Sequence, residues 1–352
     1  MSIAALAPTR TSRARSRNRR PPLRLFLLAL LAVLSPRCQE PGAAMSDSTE
    51  LRLVLTVPLP EVKGRIDHLA YDPATSRLFV AALGNDTVEV IDVREGKLLS
   101  SIGGFDEPQG IVFAPATGRL HVACGGSGRL ETLDAKTFQK VASLDLGGDA
   151  DNVRLDPADG SLVVGCRSGA LAFVDAKGDR IDRVVALAAH PESFQLEGRG
   201  SRVFVNVPGA KEIAVVDRRG SESPRKWSCG DSLANFPMAL DEARSRLLVG
   251  FRNPARLAAY DLATGERRSV LEVVGDADDI FVNDGRILVI GGEGFIDLVG
   301  TDARGKLERQ GRVATRDGAR TGLWVETLNR LFVALPRRDG KAAEIRAYER
   351  LP

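Results

Sequence analysis

Cysteine is scarce in this chain: there are 4 in 352 residues, too few to staple a fold of this length with disulfides. Aromatic residues make up only 5%, with 2 Trp and 3 Tyr. No aromatic row lies beside a basic run, so the stacking groove of a single-strand nucleic-acid binder is not expected. Long apolar runs are also missing. The run Leu25–Leu34 (LFLLALLAVL) has ten residues, against the roughly 20 needed to span a bilayer. There is no G-x-S-x-G elbow, no G-x-x-x-x-G-K-[ST] loop, no H-E-x-x-H, and no G-x-G-x-x-G that opens a helix. Serine-hydrolase and nucleotide-driven chemistry are set aside on that ground. What is abundant is turn residues: 35 Gly and 18 Pro beside 3 Met, a balance that suits an all-β chain. Apolar content of 43% and charged content of 27% are ordinary for a globular protein.

Residues 1–44 read as an export signal. They carry Arg10, Arg13, Arg15, Arg17, Arg19, Arg20, Arg24 and Arg37, no Lys and one acid, Glu40. The apolar run 25–34 follows, then the small residues Gly42, Ala43 and Ala44. Basic, apolar and small segments in that order mark a signal peptide, with cleavage expected after Ala44 and a periplasmic or secreted product that has no transmembrane span. A lipid anchor at Cys38 and a twin-arginine signal at Arg19-Arg20 fit their patterns poorly, and a true start at Met45 is the plain alternative. The whole chain has a net charge of +3, with 49 Lys+Arg and 46 Asp+Glu. Taking away eight Arg and one acid leaves 41 basic and 45 acidic side chains, a net −4. The basic character therefore points at export rather than at nucleic acid.

The rest, 45–352, is periodic. One phrase recurs: apolar strand, Asp-Pro-type turn, strand, Gly-type turn, strand ending in Asp. Its clearest copies are YDPATSRLFVAALGNDTVEVIDV, FAPATGRLHVACGGSGRLETLDA and LDPADGSLVVGCRSGALAFVDA. An apolar anchor recurs at Leu78, Leu120, Leu162, Val203, Leu247, Ile287 and Leu331, in steps of 42, 42, 41, 44, 40 and 44. An acid recurs at Asp92, Asp134, Asp175, Asp217, Asp261 and Asp302, in steps of 42, 41, 42, 44 and 41. Each unit holds four short strands, for example His68–Asp72, Leu78–Leu83, Thr87–Val93 and Lys97–Ile102. Seven such units around an axis make a seven-bladed β-propeller with four-stranded blades. The last unit lacks a fourth strand, and Leu51–Val57 is an orphan strand placed to supply it. Its pairing with Ala343–Glu349 would close the ring and remove two open sheet edges. The Gly-His and Trp-Asp marks of one common propeller class are absent from the repeat, so membership of that class is not expected.

The phrase LFVAALGNDTVEVIDVREGKLLSSI resembles the YVTN-type, or YncE-like, repeats of exported bacterial propellers. The resemblance covers about 45–352 and is strongest in the first three units. It implies a seven-bladed propeller and a periplasmic location. It implies no single activity, since relatives are mostly binding proteins and one is thought to bind single-stranded DNA.

In a propeller, the loops leading into the innermost strands gather at one mouth of the central channel. Here they are far more polar than the strands they feed. Asp67 and His68 lie in the first, Gln109 in the second, Asp151 and Asn152 in the third, His190 and Glu192 in the fourth, Asn235 in the fifth, Asp278 and Asp279 in the sixth, and Arg320 in the seventh. These are the candidate ligand-binding residues. Asp67, Asp151, Glu192 and Asp278 offer hard oxygens for Ca²⁺ or Mg²⁺, and His68 and His190 offer nitrogens that would favour Zn²⁺. Against a metal stands the lack of any H-x-x-x-H or C-x-x-C spacing, and Asp and Asn also begin strands simply to satisfy turn backbone. Lys211, Arg252, Arg256, Arg337, Arg338 and Lys341 sit at hairpin tips, where they would steer an anion or merely be solvated. Cys124, Cys166 and Cys229 are expected as buried free thiols, and His121 as a packed core residue. The expected function is monomeric binding of a small polar ligand or another protein at the mouth, without turnover. The alternative is a metal-dependent, lactonase-like hydrolase at the same place.

Overall fold

The computed structural model describes residues 51–351; the signal-peptide reading of 1–44 lies outside the described residues. Twenty-eight strands form seven antiparallel sheets of four. The innermost strands of blades 1 to 7 are Leu69–Asp72, Pro108–Ala114, Ala150–Leu155, Phe194–Leu196, Leu233–Asp241, Ala277–Asn283 and Gly322–Val325. Each touches its neighbour in the next blade, and the seventh touches the first, so the ring is closed. The chain is thus a seven-bladed β-propeller with blades of the WD40-like build. No helix among the described residues is long and apolar enough to cross a membrane.

Both periodic signals have a local physical cause. The apolar anchors all lie in the second strand of their blade, and Leu78, Leu120, Leu162, Val203, Leu247, Ile287 and Leu331 are each 0% exposed. Removing one such side chain from water is worth about 1.5–3 kcal/mol. The recurring acids cap the turn that follows the third strand. Asp92 accepts the backbone N–H groups of Arg94 and Glu95, Asp134 those of Lys136 and Thr137, Asp261 those of Ala263 and Thr264, and Asp302 those of Arg304 and Lys306. Asp175 and Asp217 do the same. A short carboxylate at this place replaces the water that the turn would otherwise need.

The core is divided in seven, one apolar cluster at each blade–blade interface. Phe79, Val88 and Val90 of blade 1 pack on Ile111 and Leu120 of blade 2. Val163 and Leu171 of blade 3 meet Phe194 and Val205 of blade 4. Phe332 and Ile345 of blade 7 meet Leu69 and Leu78 of blade 1.

Ring closure follows the expected pairing and goes slightly further. The N-terminal strand, Leu51–Leu59, runs antiparallel to Ala343–Arg350, from Leu51 opposite Arg350 to Leu59 opposite Ala343. Its inward residues Val57 and Leu59 are buried. The second strand of blade 1 is shorter than expected, ending at Ala82. Leu83–Asn85 form one 3-10 turn, and Asp86 leaves it with φ 55, a left-handed conformation that Asp tolerates. Among the described residues Cys124, Cys166 and Cys229 are free and buried, and His121 is fully buried with Nδ1 3.0 Å from Thr132 Oγ1. Burial pushes the His121 imidazole down to about 4.

Candidate functional site at the channel mouth

The loops leading into the innermost strands are held by the same backbone contact in different blades. The Asp67 N–H donates to the Ala81 carbonyl at 2.8 Å, and the Glu192 N–H to the Asn206 carbonyl at 2.9 Å. In blades 2, 3, 5 and 6 a left-handed residue turns the chain at this point: Glu107, Asp149, Ala234 and Asp276, with φ of 52, 34, 58 and 52. The side chain two residues after each turn residue, Gln109, Asp151, Phe236 or Asp278, lines the channel mouth.

They converge on a cavity of about 240 Å³ to which every blade contributes. Arg65 comes from blade 1, Gln109 from blade 2, Asp149 and Asp151 from blade 3, His190 and Glu192 from blade 4, Phe236 and Arg252 from blade 5, Asp278 from blade 6 and Arg320 from blade 7. Deeper, along the innermost strands, lies a second cavity of about 370 Å³. His68 and Asp279 line its mouth end, His68 Nδ1 standing 3.9 Å from Asp279 Oδ2.

Of the residues expected at the mouth, Gln109, Asp151, His190, Glu192, Asp278 and Arg320 line the outer cavity, and His68 and Asp279 the inner one. Asp67 is 1% exposed and sits behind the wall, 2.8 Å from Arg65 Nη2. Asn152 and Asn235 are buried away from both cavities. Asn235 is a core tie: its Nδ2 donates to Asn206 Oδ1 and to the Glu212 carbonyl, both at 3.0 Å. Arg65, Asp149 and Phe236 were not among the expected site residues, and Arg252 was expected at a hairpin tip, to steer an anion or merely be solvated. The polar character of the loops around Arg65 and Asp149 was visible in the sequence; the approach of Arg65 to Asp278 of blade 6 and of Asp149 to His190 of blade 4 was not.

The carboxylates do not stand as an open acidic ring. Arg320 Nε lies 3.0 Å from Asp278 and its Nη1 2.9 Å from Asp276. Arg252 bonds the other oxygen of Asp278 and stacks over the Phe236 ring at 3.9 Å. His190 Nδ1 lies 2.8 Å from the Arg167 carbonyl, and its Nε2 is 3.7 Å from Asp151. The neighbouring Asp151 carboxylate chiefly pushes this imidazole up to about 9, so it is a cation at neutral pH. Among the described residues no group of three or more His, Cys, Asp or Glu is arranged to hold a metal ion. Asp67, Asp151 and Asp278 face Arg or His instead, which is not the donor set a divalent cation needs.

Glu192 differs from its neighbours. It makes no ion pair among the described residues. Burial, with Asp151 and Asp278 adding to it, pushes its carboxyl up to about 8. At neutral pH it is a neutral acid, able to donate one hydrogen bond and accept another. Behind it, burial raises Asp67 and Asp279 to about 7.

No protein-family model matches the chain, and no curated protein matches it. Among solved structures, a chain in the crystal structure of the mitotic checkpoint complex is similar, with a TM-score of 0.70 at 14% identity, over 94% of this chain and 99% of that one. At this identity the likeness shows the fold alone, a seven-bladed β-propeller, the architecture the strand order and register had already established.

Proposed function

We propose that this chain is an exported, YVTN-type binding propeller that holds a small polar ligand at its mouth without turning it over. The observation that carries this reading is the outer cavity to which all seven blades contribute, with a neutral Glu192 among mutually paired charges. Pairing leaves little net field, so the ligand that fits is polar but weakly charged, recognised by hydrogen bonds to Glu192, Gln109 and the outer edges of the arginines. A propeller of this kind is equally consistent with a protein partner, whose protruding polar side chain would present the same chemistry. The lactonase-like alternative is not favoured, because the acids it needs for a metal are committed to arginine and histidine.

Calorimetric titration of the protein with uncharged polyols, sugars and amides is the test, run in parallel on Glu192→Gln. A one-to-one ligand whose affinity falls about tenfold in the variant, about 1.4 kcal/mol, is the expected result. Equal affinity in the two proteins places the ligand elsewhere and sinks the reading. Export rests on the basic, apolar and small segments of 1–44. It predicts Met45 as the first residue of protein recovered outside the cytoplasm; a full-length product confined to the cytoplasm would overturn it.

A further inference from the structure

Inside the channel, below the mouth, the innermost strands present one register level of seven residues, one per blade. Arg154 holds this place in blade 3, opposite Val163, and Gln195 holds it in blade 4, opposite Phe204. The other five are apolar, among them Val112, Phe281 and Leu323. One charge, with one amide beside it, therefore stands in a ring whose other members are apolar, and all but the blade 5 member line the cavity of about 370 Å³. Placing a guanidinium there costs desolvation energy, and most such groups are compensated by a carboxylate. Arg154 is not. Among the described residues it makes no ion pair; one Nη1 proton goes to the carbonyl of its own neighbour Val153 at 3.0 Å, and the group lies over the Phe194 ring at 5.7 Å. Burial lowers its pKa, with Asp279 and Asp151 opposing from a distance. A guanidinium has five N–H donors, so most of the fork remains unused. Beside it, Gln195 donates Nε2 to the Met238 carbonyl at 3.0 Å and keeps its carbonyl oxygen free to accept.

We propose that the inner channel cavity is a second ligand site, in which Arg154 binds the carboxylate of a small monocarboxylic acid whose apolar body lies against Val112, Phe281 and Leu323. The fork of Arg154 matches the planar geometry of a carboxylate. The volume falls within the roughly 300–1,000 Å³ of small-molecule pockets, and the lining sets the polar groups of Arg154, Gln195, Ser193, His68 and Asp279 beside the apolar side chains that would hold the body of the acid. A dianion such as phosphate suits it less, because its second charge would face Asp279 with no second arginine or lysine in the lining to meet it. This goes beyond the mouth reading, since the two cavities share no lining residue.

The test uses 4-phenylbutyrate as the probe and 4-phenyl-1-butanol as its uncharged counterpart. Met238 lines the cavity, and the chain has only 3 Met, so a ¹³C-labelled methionine methyl reports occupancy directly. The acid should shift the Met238 methyl saturably, and the alcohol should bind at least about tenfold more weakly. Arg154→Met, close in length but uncharged, should abolish the preference for the acid. Should that variant fail to fold, Arg154→Lys keeps the charge without the fork and should cut the preference. A Met238 signal unmoved by the acid overturns the proposal. So does equal response to acid and alcohol in the wild type, or a preference that survives replacement of Arg154. Inorganic phosphate displacing the probe as well as acetate does would overturn the monocarboxylate assignment.

Discussion

Four ionisable side chains around the mouth hold their protons more tightly in the fold than in the unfolded chain. Glu192 is raised from 4.5 to about 8, Asp67 and Asp279 from 3.8 to about 7, and His190 from 6.5 to about 9. A raised folded-state value means stability that is complete below the unfolded value and is lost as pH climbs through the folded one. All four therefore weaken the fold as pH rises between about 4 and 9. The turn-capping acids act in the opposite sense. Asp92, Asp134 and Asp261 are held below their ordinary value, first of all by backbone N–H groups, and their contribution disappears only as pH falls below it. The melting temperature should accordingly peak near pH 4 and decline toward pH 9. Glu192→Gln removes one titrating group, so its melting temperature should gain on that of the wild type steadily from pH 4.5 to 8. A difference that stays constant across this range would show that the Glu192 carboxyl titrates normally.

At the scale of the element, the innermost strands pack so closely that side chains are excluded at one point. A Cβ on Gly110 would lie 2.2 Å from the Asp151 carbonyl oxygen and 2.8 Å from the Val153 nitrogen. Both are backbone atoms of the next blade, so no rotamer change relieves the clash. Gly110→Ala should cost about 1–3 kcal/mol through overpacking and lower the melting temperature by several degrees. Because Asp151 must move, mouth binding should weaken with it; a variant that melts and binds like the wild type would show that the two strands separate freely. Strand positions were legible in the sequence because alternation and turn chemistry are local, and the elements end within a residue or two of expectation. Where they differ, a local effect without a distinct sequence mark decides. At Leu83–Asn85 a 3-10 turn replaces the last strand residue, and the N-terminal strand runs on to Leu59 because its partner strand continues to Ala343. The same loops show the limit of this legibility for the site. Gln109 and Asn235 read alike in the sequence as polar lead-in residues, and both fall at the start of an innermost strand, yet Gln109 lines the mouth and Asn235 is locked to Asn206 in the core.

The whole molecule depends on one non-local pairing. Without the strand Leu51–Leu59, the last blade has three strands, the edge of Ala343–Arg350 is bare, and the apolar cluster between blades 7 and 1 loses Val57 and Leu59. Deleting residues 45–60 should abolish the cooperative thermal transition and drive aggregation through the exposed edge. A truncated protein that melts with the full-length chain would show that the ring does not need this closure. Seven blades, their order and the closing strand were readable from the sequence, because each repeat of about 42 residues carries its own buried anchor, and the first six their own turn-capping acid, and so announces itself locally. Which charge meets which was not. Arg65 of blade 1 approaches Asp278 of blade 6, and Arg320 of blade 7 binds Asp276 of blade 6, only because the ring brings separate blades to one channel mouth. The sequence marked acids there and left open a metal; the ring set arginines against them, and turned Arg154 toward the channel in a strand otherwise built for packing. Local patterning determines what each blade is, while the closed ring alone decides which side chains face one another across its axis, since that proximity has no counterpart in sequence distance.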